Sequence, residues 1–443
     1  SQVDYLCKAR GIKVADKIAI QTMRRHSNSQ EPLSGEDLKY DARALTLFIS
    51  AVFEERIPHE VNVLIPHINR PFQKGLEINN RRIRCIVKNW DSDFIRVDID
   101  QDADEEEYLV RLKDEENHID HTYLWDLLKE GMQLNLLDCQ VKQPIITPRL
   151  IVVEPDYLVD ISSIATCFTA FGHHPLLYLL NLMKPRANTQ ATLLGNFAGA
   201  ALDDIINSHG KYQVNETVKS NFREKALEFC TCPWFDAKKF YTDASQQAFN
   251  LQQVVDILFP RTASQAKMSA FRGESLYDRK KAILEPSFVC EALGIQGRVD
   301  LMTTDCKLLV EQKSGRNMNI ETHQVDSAYH SYQLEPHYVQ LLLYYGVLQH
   351  NFKLSNDRVN IRLLYSKYQP QDGLMVVAYY QKLFKEAIEY RNQLVAASFE
   401  IAKEGFEHAL NEFTPEVLNV SGTQDFFYNK YLKPQIEAIT KPL

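Results

Sequence analysis

The chain has 443 residues, 45% of them apolar and 24% charged, with a formal net charge of −8. That composition belongs to a folded protein of two or three domains and excludes disorder as the overall answer. The acidic balance also excludes nucleic-acid binding through a global basic field, so any such contact has to come from a local groove.

Residues 1–40 are polar, include Arg24-Arg25-His26, and read as an arm or a lead-in helix. Across 41–150 the pattern becomes short runs, LTLFISAVF, HEVNVLI, RRIRCIVKNW, DFIRVDI and EEYLVRL, separated by Asn, Asp, Pro and Gly. These predict the strands of a small antiparallel β domain. An oligonucleotide-binding (OB) barrel fits the size and strand spacing, as do other small β folds. Arg81, Arg82, Arg84 and Lys88, near Trp90 and Phe94, form a candidate nucleic-acid patch, since cations meet phosphates and aromatic faces stack bases. Strand periodicity also sends some of those aromatics to a core.

The middle of the chain switches to helical spacing. ISSIATCFTAFGHHPLLYLLNLM, ATLLGNFAGAALDDIINSH, VNETVKSNFREKALEFC and AFNLQQVVDILF carry apolar residues three and four apart, predicting helices to about residue 260. The longest apolar patch, 176–183, is too short to span a membrane and contains Asn181. With no secretory leader either, the expectation is a cytoplasmic protein without a membrane span. Cysteines stand at 7, 85, 139, 167, 230, 232, 290 and 306. The single residue between Cys230 and Cys232 is poor zinc spacing, so reduced and mostly buried thiols are expected, a surface pair at 230 and 232 staying open. His173-His174 read as structural or surface residues of a helix.

In GRVDLMTTDCKLLVEQKSG, residues 297–315, Val299, Leu301, Leu308 and Val310 recur at strand spacing. Thr303-Thr304-Asp305 then joins two strands of a hairpin, which brings Asp300 and Glu311 together across the ladder. Glu311 has Leu309 and Val310 before it. Two carboxylates in apolar surroundings repel and lose hydration unless a cation holds them. Mg²⁺ or Mn²⁺ takes oxygen ligands, and the Gln312 carbonyl is a candidate third donor. Period-two geometry sends Glu311 and Lys313 to one face. Phosphodiester hydrolysis gives each group a role, with Lys313 orienting water or offsetting phosphate charge. Beyond the hairpin, HYVQLLLYYGVLQH predicts a helix, NIRLLYSKY a strand, and 378–412 long helices, which makes an α/β core.

With Asp300 in GRVD, Glu311-Gln312-Lys313 in VEQKSG, and Gln340 and Tyr344 in QLLLYY, the chain resembles the PD-(D/E)XK nuclease superfamily. Within it, the RecB-like branch of replication helicase-nucleases is the nearest in pattern. The resemblance spans roughly 150–370, with its motifs between 285 and 344. It implies a restriction-endonuclease-like core, a mixed central sheet with flanking helices, over 151–375, the small β domain before it and a helical extension over 376–443. It implies Asp300 and Glu311 as metal ligands, Lys313 as catalytic, and Gln340 and Tyr344 positioning the lysine or the DNA. Glu285, in EPSFVCEALGIQGRVD, matches the glutamate that leads the family's stretch. The implied activity is metal-dependent cleavage of single-stranded or flapped DNA, with a fused or separate helicase motor as partner. The alternative is a catalytically inactive nuclease-fold module that binds DNA or serves structure.

Two features depart from the branch. Its metal-ligating histidine falls in GNFAG, where this chain has Gly199, so Glu285 or Glu291 is expected to fill the gap, or water does. The cysteine trio of iron–sulfur relatives is missing after Cys306, so no cluster is expected. No G-x-x-x-x-G-K-[ST] motif occurs in the sequence, which leaves no ATPase site of that kind. Arg298, Lys307, Arg316 and His323 are candidates for local positive surface, and His337, one turn before Gln340, for a phosphate contact or a packing role.

Overall fold

The computed structural model describes residues 2–28, 33–69, 78–99, 108–169, 172–183, 188–208, 212–325, 331–354, 359–405 and 433–434. The chain divides into two compact units, Ser1–Ile151 and Val152–Leu443, of mixed α/β architecture.

The first unit opens with four helices, α1 (Gln2–Ala9), α2 (Val14–Asn28), α3 (Gly35–Phe53) and α4 (His59–Leu64). Two runs expected as strands, LTLFISAVF and HEVNVLI, therefore belong to α3 and α4. The reason is local. The Ser34 side chain accepts the Asp37 N–H, and Glu36 and Asp37 occupy the first turn, which caps the helix and complements its dipole. Leu45, Phe48, Ile49 and Val52 then follow at three- and four-residue spacing, the repeat of a helix rather than of a strand.

The strands that follow close on themselves. β1 (Ile78–Trp90), β2 (Phe94–Ile99) and β3 (Tyr108–Arg111) precede a small hairpin, β4 (Lys113–Asp114) with β5 (Ile119–Asp120). β6 (Gln133–Lys142), β7 (Ile145–Thr147) and β8 (Leu150–Val153) complete the series. β1 pairs with β2 and with β6, and the order β1-β2-β3-β7-β6 returns to β1. All neighbours in this ring are antiparallel except β3 and β7. Alternation sends Ile83, Cys85 and Val87 of β1 inward. Arg82 and Lys88 face solvent. Arg84 donates to Gln133 Oε1 at 3.1 Å and Lys88 lies 3.5 Å from Asp98, so part of the basic stripe is already engaged. The Arg81 side chain lies outside the description.

In the second unit, the ISSIATC… stretch breaks up instead of forming continuous helix. β9 (Val159–Asp160), α5 (Ile161–Ala165), the hairpin β10 (Phe168–Thr169) and β11 (Gly172–His173), and α6 (Leu176–Met183) share it. His173 thus lies in a strand. Helices α7 (Gln190–Asn207), α8 (Val214–Glu224), α9 (Ala226–Cys230), α10 (Ala237–Leu258) and α11 (Ala263–Phe271) follow.

The central sheet uses β12 (Ala282–Leu284), then skips a hairpin, β13 (Ser287–Cys290) with β14 (Ile295–Arg298), which pairs with β9. It resumes with β15 (Leu301–Thr303) and β16 (Leu308–Lys313). After α12 (Met318–Thr322) and α13 (Glu335–Phe352) come β17 (Asn360–Tyr365), α14 (Pro370–Gly373), β18 (Leu374–Val376) and α15 (Gln381–Glu404). Strand order is β12-β15-β16-β17-β18, with only β16 and β17 parallel. A parallel pair needs a crossover, and α13 lies in it.

Leu308 and Val310 pack with Phe197 and Ala201 of α7 and Leu251 of α10 in one buried cluster. By period two, Leu309, Glu311 and Lys313 turn to the other face, toward α13. The expected C-terminal helices are represented by α15, and residues beyond 405, apart from 433–434, lie outside the description. Among the described residues no helix is long and apolar enough to cross a membrane. All eight cysteines are free thiols; Cys230 is exposed while Cys232 is buried, so they make no surface pair.

Candidate active site

The register of the predicted hairpin decides what meets. Leu301 pairs with Val310 and Met302 with Leu309, so Asp300, one residue before Leu301, stands opposite Glu311. One Asp300 carboxylate oxygen accepts the Gln312 N–H at 2.6 Å. In the parallel ladder Lys313 O accepts from Ser366 N–H. Alternate residues turn their backbone groups to opposite sides, so Gln312 turns its N–H and C=O toward Asp300, past the end of the β15–β16 ladder. Its side chain leaves the other way and donates to Ser366 Oγ at 2.8 Å.

Lys313 is clamped. Its ammonium donates to Glu311 Oε1 and to Gln340 Oε1, both at 2.8 Å. Gln340 and Tyr344 are one turn apart on α13, and a hydrogen bond from Gln340 also reaches Tyr344. The Tyr344 hydroxyl donates to Arg298 O at 2.6 Å, tying α13 to the strand that leads into Asp300. Gly297 makes this approach feasible, because a methyl there would stand 2.9 Å from the Tyr344 ring. The structure therefore gathers Asp300, Glu311, Gln312, Lys313, Gln340 and Tyr344 in one place.

Glu311 is 2% exposed. Burial first, and then the nearby Asp300, raise its pKa, while Lys313 opposes the rise. Asp300 is likewise pushed up, chiefly by burial, against the Gln312 N–H and Lys313. Glu311 Oε2 is buried and has no hydrogen-bond partner. A buried orphan oxygen beside a second carboxylate is costly unless a proton or a cation meets it, and a hard divalent ion such as Mg²⁺ or Mn²⁺ suits that oxygen set. Among the described residues, however, no group of three or more His, Cys, Asp or Glu side chains is placed to hold a metal together. The donors on offer are two carboxylates and the Gln312 carbonyl, with water left to complete the shell.

Glu285 lies at the edge of this cluster. Its N–H donates to Asp300 O at 3.0 Å, but its carboxylate is 3.1 Å from Arg298 and 41% exposed. Glu291 is in the β13–β14 turn, at the far end of that hairpin from Asp300, and does not fill the histidine's place. Position 199 is open: a methyl there would meet nothing within 4 Å.

The residue missed in the sequence is Asp203. Its pKa is raised to about 7 by burial and by the charges of Glu285, Asp300 and Asp204, so it belongs to the same electrostatic neighbourhood. Gly195, Gly199 and Asp203 recur every four residues on α7, and Gly195 abuts Ser314, 3.3 Å from where its methyl would be. That four-residue spacing was the available signal.

The neighbouring histidines differ. His337 meets the Tyr365 hydroxyl at 3.0 Å. The same hydroxyl accepts the Leu334 N–H. Burial and then Lys313 lower the His337 pKa to about 3. His173 has the acids that the sequence did not reveal. It lies 2.7 Å from Glu335 and 2.8 Å from Glu386, and although burial opposes the charge, these partners raise its pKa to about 9. His174 is lowered to about 4 by burial. Arg298 and Arg316 are paired with Glu285 and Glu321, whereas Lys307 and His323 are exposed.

Compared with known proteins, the sequence matches no family model and no curated protein.

Proposed function

We propose that this chain is a divalent-metal-dependent nuclease that hydrolyses DNA phosphodiester bonds, with a restriction-endonuclease-like core of the RecB-like kind. The observation that carries the reading is the enclosed Glu311, with an unpartnered oxygen, beside Asp300 and a clamped Lys313. Folding alone gives no reason to bury an acid between a second acid and a lysine at the end of a strand.

Asp300, Glu311 and the Gln312 carbonyl would hold Mg²⁺ or Mn²⁺. When bound, that ion polarises the scissile phosphate and lowers the pKa of water. Asp300 is oriented by the Gln312 N–H. Lys313, aimed by Glu311 and Gln340, offsets charge developing on the phosphate oxygens and orients the attacking water. Tyr344 holds α13 against Arg298 O and so fixes Gln340. Asp203 adds negative charge to the same neighbourhood. The closed five-strand ring of the first unit, whose only parallel pair is β3–β7, supports an OB-type nucleic-acid module. Single-stranded or flapped DNA as substrate, and a helicase motor as partner, come from the family resemblance.

The shortage of side-chain metal donors favours a second reading, an inactive module that retains DNA binding. The test is cleavage of end-labelled single-stranded, duplex and flapped DNA with Mg²⁺, Mn²⁺ or chelator, beside Lys313→Ala. Metal-dependent cutting that Lys313→Ala abolishes is expected. DNA binding without cutting under either metal would replace the nuclease with the inactive module.

A further inference from the structure

Trp234 is 98% exposed, in a chain with three tryptophans. Its backbone is left-handed, with φ 57°, a strained conformation for a bulky residue. The residues around it hold it there. Cys232 is buried, and the Phe235 ring packs 5.3 Å from Phe229 and 5.5 Å from Phe240. The turn is thus anchored on both sides of an indole that is turned out to water.

The first turn of α10 follows directly. It carries Lys238 and Lys239, both exposed, and no acid, although the Asp236 carboxylate caps it by accepting the Lys239 N–H. Cations at the positive end of a helix dipole oppose helix stability, and neither lysine is paired with an acid among the described residues. An aromatic face next to two unpaired cations suits a nucleic-acid strand, whose bases stack and whose phosphates are anionic.

Two helices, α7 and α10, connect this turn to the carboxylate cluster. The Asp236 N–H donates to Gln190 Oε1 at 2.8 Å, and Gln190 begins α7. Five residues on, Gly195 abuts Ser314, the neighbour of Lys313. Those five residues rise roughly 8 Å along α7; on α10, Gln247 donates to Ser314 O at 3.1 Å, and from Asp236 to Gln247 that helix rises roughly 16 Å. Further along, Gly199 leaves its face of α7 clear on the way to Asp203.

We infer that Trp234, with Lys238 and Lys239, forms a stacking and phosphate-binding platform for a single-stranded nucleic acid whose scissile bond lies at Asp300, Glu311 and Lys313. This rests on the nuclease reading. The platform holds the strand several nucleotides from the cut, and base stacking makes it tolerant of sequence.

The experiment uses the full chain with Lys313→Ala, titrated with a fluorescein-labelled oligothymidylate by anisotropy, with tryptophan emission recorded in parallel. Adding Trp234→Ala is expected to weaken binding roughly 5- to 150-fold and to remove most of the tryptophan quenching, with the melting temperature unchanged because the side chain is exposed. Lys238→Gln with Lys239→Gln is expected to lower the slope of log affinity against log salt by about 1.4. Unchanged affinity in Trp234→Ala, or quenching that survives it, overturns the platform; if the parent chain still cuts DNA, the nuclease reading stands. Lost affinity in Trp234→Ala, in a chain whose parent cuts no DNA with either metal, supports the platform and removes the nuclease.

Discussion

Replacing Glu311 by glutamine should make the protein more stable and inactive. The carboxyl is enclosed, and its pKa is pushed up to about 8 from an ordinary 4.5 by burial and by Asp300, in that order. A carboxyl whose pKa rises on folding contributes its stability below the unfolded value and loses it as pH climbs through the folded value. At pH 7.5 without metal the loss approaches an upper limit of about 4 kcal/mol, at roughly 1.4 kcal/mol for each pH unit above 4.5. Glutamine keeps an oxygen for Lys313 but puts an amide NH2 where Oε2 is buried without a partner, which offsets about 1–2 kcal/mol. The expected net gain is about 2–3 kcal/mol, or a melting temperature higher by roughly 5–10 °C. The assay is a thermal melt from pH 4 to 8 in chelator and again in Mg²⁺ or Mn²⁺. The advantage of Glu311→Gln should vanish near pH 4.5, and metal should stabilise the parent more than the variant. A variant less stable than the parent at pH 7.5 in chelator, or a difference that ignores pH, would refute the argument that this acid is held at a cost for a cation.

Asp203→Asn should flatten the fall in metal-free stability as pH rises through about 7 and slow cleavage while leaving the circular dichroism spectrum intact. Gly346→Ala drives a methyl into the Phe384 ring and should cost about 1–3 kcal/mol, read by urea unfolding; a neutral result would mean that α13 and α15 are not packed as described. His173 bridges Glu335 and Glu386, and its raised pKa supplies stability that is full below about 6.5 and lost as pH climbs through about 9. His173→Gln should therefore lower the melting temperature more at pH 6 than at pH 10, and an equal loss at both would show that its charge is irrelevant. Arg391 is fully buried and donates to the carbonyls of Gly294, Val153, Glu154 and Tyr157. Arg391→Met strands those oxygens, so a loss of about 3 kcal/mol or more is expected by chemical denaturation, and a loss under 1 kcal/mol would show that water replaces the guanidinium.

Local pattern carried the hairpin. Alternating Leu301, Leu308 and Val310 around a polar turn define the pairing and, because the side-chain period is two, also define which of Asp300, Glu311 and Lys313 share a face; Val299, expected in the first strand, lies in the break between β14 and β15. The same reasoning failed in LTLFISAVF. Its β-branched and aromatic residues resemble a strand by composition, but the Ser34 cap and the three-and-four spacing belong to a helix. Short apolar runs are ambiguous in this way, and the cap lies outside the run itself.

What the sequence by itself determined is a mixed α/β chain with a paired-acid hairpin, a lysine two residues beyond the second acid and a helix carrying glutamine and tyrosine one turn apart. Those are properties of neighbours within one or two elements, where spacing alone sets the geometry. Only the tertiary structure decided that Gln340 grips Lys313, that Glu311 is left with an orphan oxygen, that Asp203 joins from a helix about a hundred residues earlier and that His173 sits between two glutamates. Burial and electrostatic neighbourhood depend on contacts between segments far apart in the chain, and residue spacing carries no measure of either.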